Sequence, residues 1–211
     1  MNFVREAVSD AAIGVGVACS PEELSVIRKP GCAAAIWRRT VPKDLQTWAN
    51  ALPPDLLPSA RLVIRPREAR KAAAAAFEAA HTPGGAERDW LAGDVARIVD
   101  LFAKLMDAPF LRLRFDVVDD DACHKFHIDA VTARLVCTYR GHGTQYGISS
   151  DGTEPKRVFT TPTGSPIVLR GTRWPERPKS GLLHRSPPIE GTGATRLVLV
   201  LDPLRAFEEE V

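Results

Sequence analysis

No stretch of this chain approaches the roughly 20 apolar residues of a membrane-spanning helix, so no helical span is expected. The cysteines Cys19, Cys32, Cys123 and Cys137 form no CxxC pair, which excludes the usual zinc-ribbon spacing. A chain of 211 residues buries a sizeable core without disulfides or structural metal. The thiols are therefore read as reduced, and the protein as cytoplasmic. Charge of one sign is missing too. The formal net charge is +2 and no block of like charge is long enough to form a tail, which argues against a nucleic-acid or acidic-membrane partner. A secretory leader is not expected either. Ala11 to Cys19 is apolar but short, and it follows Glu6 and Asp10, where a signal peptide carries positive charge. No repeat appears, and the only biased segment is an alanine run.

What remains is the composition of an ordinary globular protein, 26% charged and 45% hydrophobic. The first 20 residues read as loosely structured. Ser20-Pro-Glu-Glu23 reads as a helix start, with Ser20 as cap, and Pro30-Gly31 ends that helix. Cys32 to Trp37 reads as a short strand and Leu62 to Ile64 as another. Helices are expected after Thr40, with Leu45, Trp48, Ala49 and Leu52 on one face, over Arg67 to His81, and over Glu87 to Met106. After Pro109 the character changes. Phe110 to Val118 alternates apolar and charged residues, as a half-buried strand does. Further strands are expected at Lys125–Asp129, Ala133–Tyr139, Ile167–Arg170, Gly181–His184 and Arg196–Leu201. The expectation is an α+β protein: N-terminal helices over 1–108 packed on a jelly-roll or cupin-like barrel over 109–211, the two forming one compact domain.

Chemistry gathers around His127-x-Asp129. Residues two apart on a strand face the same way, so imidazole and carboxylate converge as two ligands of a divalent metal. His184, in Leu183-His-Arg-Ser-Pro-Pro188, offers a third. Two histidines and one carboxylate make the facial triad that leaves coordination positions open. His124 has the opposite strand parity and reads as a surface or supporting residue. His142, between Gly141 and Gly143, reads as an exposed turn. Cys123 would favour zinc if it joined the site, but it lies about 13 Å along a strand from His127 at about 3.3 Å per residue.

Taken in order, His127-x-Asp129, His184 and Arg196 resemble the double-stranded β-helix of the iron(II)/2-oxoglutarate oxygenases. The resemblance implies iron(II) on the triad and 2-oxoglutarate as a small-molecule co-substrate, with its far carboxylate on Arg196. The planar fork of arginine suits that role. Arg134 and Tyr139 are further candidates for gripping the co-substrate, although Arg134 equally suits an acid at the barrel rim and Tyr139 a core position. One departure stands out. The oxygenases often place a serine two residues after their arginine, and here that position is Val198.

The blocks Phe126-His-x-Asp129, Leu135-x-Cys-Thr-Tyr-Arg-Gly141, Gly143-Thr144, Trp174, Leu183-His-Arg-Ser-Pro-Pro188 and Arg196 to Asp202 also resemble a bacterial domain family of unknown function. That resemblance hints at zinc homeostasis. The two function classes are thus an oxygenase (a hydroxylase) and a non-catalytic zinc-binding protein. They differ in whether Arg196 lies free at the base of a cavity or is already paired with a protein carboxylate. A third class, a metal-dependent hydrolase, would need a general base such as Glu154 or Glu190. A basic cluster at Arg170, Arg173, Arg177, Lys179 and Arg185 around Trp174 reads as either a binding surface for an anionic or nucleic-acid substrate or a solvated loop. Neither the primary substrate nor the oligomeric state is legible.

Overall fold

The computed structural model describes residues 11–121, 123–149 and 153–207. Twelve strands and three α-helices follow one another: β1 (Ala11–Ala12), β2 (Gly14–Ala18), β3 (Cys32–Trp37), α1 (Lys43–Ala51), β4 (Ala60–Ile64), α2 (Ala69–Ala79), α3 (Ala86–Met106), β5 (Phe110–Val118), β6 (Ala133–Arg140), β7 (Gln145–Ile148), β8 (Phe159–Thr160), β9 (Ile167–Arg170), β10 (Lys179–Ser180), β11 (Leu182–Arg185) and β12 (Arg196–Leu204). The class is mixed α/β.

A seven-stranded sheet runs β2-β3-β9-β6-β12-β5-β4, and a three-stranded sheet runs β11-β7-β8. β12 is the centre of the larger sheet, paired antiparallel with both β5 and β6. Its alternation decides the layering. Leu197, Leu199 and Leu201 point into a core shared with α2 and α3, and Val198 and Val200 into a second core that includes Leu182 of β11. A strand covered on both faces has to be apolar on both faces. β6 follows the same rule: Leu135, Cys137 and Tyr139 face the helices, while Val136 joins the second core.

α3 forms where its apolar residues recur at helical spacing. Leu91, Val95, Ile98 and Phe102 are fully buried, in line with an amphipathic stripe. The helix stops at Asp107, a left-handed C-cap with φ 48°, just before Pro109. A buried cluster ties α3 to the sheet. Arg39 reaches both carboxylate oxygens of Asp94 at 2.6 Å, and the Tyr139 hydroxyl donates to Asp94 Oδ2 at 2.7 Å.

Several local expectations change. Residues 11–18 are paired rather than loose, with β2 running parallel to β3; residues 1–10 lie outside the described residues. Gly14-Val-Gly-Val-Ala has weak strand propensity, and its pairing with β3 supplies what propensity does not. Ser20 does not cap a helix. Glu23 accepts from the backbone of Cys19 and Ser20 at 2.7 and 3.4 Å, and the following Glu22–Arg28 turn is 3₁₀. The expected strand Lys125–Asp129 reduces to a single bridge between His127 and His184. The first 108 residues are not purely helical, because β2, β3 and β4 complete the large sheet. No described helix is long and apolar enough to cross a membrane.

Candidate metal centre

β11 carries His184 towards the interior, and the bridge opposite it holds His127. The two residues exchange backbone hydrogen bonds, each N–H donating to the other's carbonyl at 3.0 Å. This pins the imidazoles side by side, with ring centroids 4.6 Å apart. Asp129 follows two residues on. One ligand atom from each of His127, Asp129 and His184 lies within 4.8 Å of the other two. The chain therefore brings the three expected residues together.

Their hydrogen bonding suits a cation. His127 Nδ1 lies 2.8 Å from the Lys125 carbonyl oxygen. A carbonyl only accepts, so Nδ1 carries the proton and Nε2 presents its lone pair. Asp129 Oδ2 is buried and accepts no hydrogen bond, although His184 Nε2 approaches it to 2.9 Å. A proton or a metal ion between these two atoms would satisfy both. Burial lowers the His184 pKa below the ordinary value, which favours neutral imidazole. Burial works against ionisation of Asp129, but the two histidines and Arg134 outweigh it and hold the carboxyl far below the usual range. The His127 pKa is raised, chiefly by its interaction with Asp129.

His127 and His184 line the edge of a cavity of about 390 Å³ whose lining also includes Arg134, Val136, Thr144, Val198, Val200 and Arg196. Arg196 is 2% exposed. Its Nε donates to the His142 carbonyl at 2.8 Å, Nη1 to Ser186 Oγ at 3.0 Å and Nη2 to Thr138 Oγ1 at 3.3 Å. Among the described residues no carboxylate pairs with it. Burial pushes its pKa down to about 10. The Gly141-His-Gly143 turn is shaped around this side chain: Gly141 has φ 78°, and a Cβ there would meet Arg196 Cγ at 3.0 Å. The hydroxyl missing at Val198 is supplied from elsewhere, by Ser186 and Thr138.

Other candidates fall differently. Tyr139 is a correction. It lies on the helix side of the sheet, fully buried, with its hydroxyl on Asp94, because the alternation of β6 turns odd-numbered residues away from the cavity. Arg134 does face the cavity, but as the partner of acids. Its Nε and Nη2 grip Asp202 at 2.7 and 2.8 Å, and Nη1 donates to Asp129 Oδ1. Cys123 borders the cavity but is not in the three-residue cluster. His124 and His142 are exposed. Glu154 and Glu190 are exposed and absent from the cavity lining. Arg170 does not join the exposed basic residues around Trp174: it is buried against the indole ring, 4.4 Å from its centroid, and donates to the Ile27 and Lys29 carbonyls, whereas Arg173 and Arg177 are exposed.

Sequence reasoning missed Asp202, Thr138 and Ser186. Asp202 was findable, since it shares parity with Arg196 at the far end of an apolar strand. Thr138 and Ser186 carry no pattern of their own; only the fold brings them to Arg196.

A family model matches residues 18–202. The chain belongs to the family described as protein of unknown function (DUF1826). No curated protein matches this DUF1826 chain. Among solved structures it is similar to the dioxygenase for auxin oxidation in rice, at 16% identity over 91% of this chain and 83% of that one, with a TM-score of 0.53. It is also similar to the dioxygenase for auxin oxidation 1 of Arabidopsis thaliana in its 2-oxoglutarate binary complex. There the identity is 10% over 94% of this chain and 95% of that one, with a TM-score of 0.54. At such identity the likeness concerns the fold.

Proposed function

We propose that this DUF1826 protein is a non-haem iron(II), 2-oxoglutarate-dependent oxygenase, with the metal on His127, Asp129 and His184 and the co-substrate on Arg196. The observation that carries this reading is Arg196. A guanidinium buried without a carboxylate partner is costly unless an anion joins it. This one opens on the cavity that His127 and His184 edge. That was the feature separating an oxygenase from a zinc-holding protein with a sealed arginine, and it favours the oxygenase. The strand pairing supports the same reading. β5, β12, β6 and β9 are consecutive in the large sheet, and Leu182 of β11 shares a buried cluster with Val136, Val198 and Val200 of that sheet, an arrangement suited to a double-stranded β-helix.

Each residue then has a task. His127 and His184 present neutral nitrogens, and Asp129 supplies the anionic oxygen that compensates the metal's charge. Thr138, Ser186 and the His142 carbonyl orient the Arg196 fork, so that its outer edge meets a carboxylate with two parallel bonds. Val136, Val198 and Val200 line the cavity between and restrict water. Iron(II) so held would supply oxygen activation coupled to oxidation of the 2-oxo acid.

The test is calorimetric titration of 2-oxoglutarate into anaerobic iron(II)-loaded protein. Saturable binding that is lost in Arg196→Ala is expected. Iron binding without any 2-oxoglutarate binding would overturn the co-substrate assignment. Absence of iron binding would overturn the triad.

A further inference from the structure

The metal carboxylate does not stand alone. Asp129 Oδ1 is held by Arg134 Nη1, and Arg134 is held in turn by Asp202 through the other edge of its guanidinium, Nε at 2.7 Å and Nη2 at 2.8 Å. Asp202 is 3% exposed and lies near the end of β12. Arg134 lies on the neighbouring strand β6, next to Leu135, which pairs with Leu201. We infer that Asp202 and Arg134 form a positioning relay that fixes the rotamer of Asp129 and keeps its second oxygen free for the metal. The inference rests on the triad reading above.

Two physical effects act together. The first is geometric. A guanidinium gripped along one edge by a carboxylate cannot turn, so its remaining nitrogen points one way and takes one oxygen of Asp129. Oδ2 is then the oxygen left towards His184, whose Nε2 lies 2.9 Å away. The second is electrostatic. Arg134 alone would compete with a divalent cation for Asp129. With Asp202 attached, the three-residue relay carries a net single negative charge, so Asp129 keeps its attraction for the metal while its position is fixed. Partners behind a ligand commonly tune its affinity in this way.

The relay gives Arg134 a role that its charge alone would not predict. If Arg134 acted only through its positive charge, removing it would strengthen metal binding. As a clamp, its removal weakens metal binding.

The experiment is a Co(II) titration of the full chain, followed by the visible d–d absorption of the bound ion, for the wild type, Asp202→Asn and Arg134→Lys. Lysine keeps the charge but cannot hold two acids with opposite edges. Both variants are expected to bind Co(II) about 10–100-fold more weakly, with a changed d–d spectrum that reports a loosened carboxylate. A spectrum and affinity within about twofold of the wild type in either variant would overturn the relay while leaving the triad in place. Wild-type protein that binds no Co(II) would overturn the triad, and the relay with it. Should a single variant fail to fold, Arg134→Met with Asp202→Leu removes the buried Arg134–Asp202 pair as a unit. The relay predicts the same loss of Co(II) affinity in this double variant, and unchanged affinity there would overturn it.

Discussion

Replacing Arg196 by methionine should leave the unliganded protein about as stable as before while removing its response to 2-oxoglutarate. Arg196 is almost fully buried, and no carboxylate among the described residues compensates it. Burial lowers its pKa by more than two units, to about 10. At 1.36 kcal/mol per unit, the folded state disfavours the charged side chain by about 3 kcal/mol at neutral pH. Methionine removes that cost and fills similar volume. It also removes three hydrogen bonds to neutral acceptors, whose net worth is about 0.5–1.5 kcal/mol each, though the freed hydroxyls of Ser186 and Thr138 can find new partners. The two terms roughly cancel, about 3 kcal/mol against about 1.5–4.5 kcal/mol, so the variant should melt within about 6 °C of the wild type for a chain of this size. Ligand separates the two. At 100 times its dissociation constant, 2-oxoglutarate should stabilise the metal-loaded wild type by about 2.7 kcal/mol, and the variant not at all. Thermal melts with and without 2-oxoglutarate read both effects. A variant that melts well below the wild type would show that Arg196 is a structural prop. A variant that still responds to 2-oxoglutarate would place the co-substrate elsewhere.

The imidazole of His127 is 38% exposed, so His127→Ala should abolish metal binding yet melt within a few degrees of the wild type; wholesale unfolding would count against a ligand role. Because the His127 pKa is raised above 6.5 by Asp129, part of the apoprotein carries a proton there at and just above that pH. Metal must displace it, so affinity should rise with pH through this window. Calorimetry in two buffers of different ionisation enthalpy would reveal the released proton, and identical heats would refute the assignment. Asp94→Ala should cost about 3–5 kcal/mol, because it leaves the buried Arg39 and the Tyr139 hydroxyl without their acceptor. Denaturant unfolding reads that loss, and Arg39→Met with Asp94→Leu should recover much of it.

The sequence shows its strands most clearly where burial is one-sided or two-sided without interruption. Leu111, Leu113 and Phe115 alternate with charge, and Arg196 to Leu201 is apolar on both faces, so β5 and β12 are legible. β7 and β8 are not, since short strands among Gly, Pro and polar residues are defined by pairing rather than by pattern. His127, Asp129 and His184 were legible as a set through their order and residue type. The Tyr139 assignment failed because a polar tip in a conspicuous motif says nothing about which side of a sheet it faces. Cys137 and Leu135 shared its parity and already pointed to the core. Asp202 escaped notice because a carboxylate ending a strand reads as a cap or turn until the long reach of Arg134 is in place.

β12 acts as a ruler. Arg196 stands at one end of its cavity face and Asp202 six residues on, about 20 Å apart at about 3.3 Å per residue. One end would set where a dicarboxylate stops, and the other would set where the metal's carboxylate is braced. Neither mark can move without the other, because both belong to one unbroken strand clamped on each side. A single-residue insertion between them would turn one mark into the helical core. The spacing is therefore under tighter constraint than the identity of any valine or leucine between them. A change in the length of ligand this cavity accepts would have to come from the surrounding loops and from β11, with β12 left as it is.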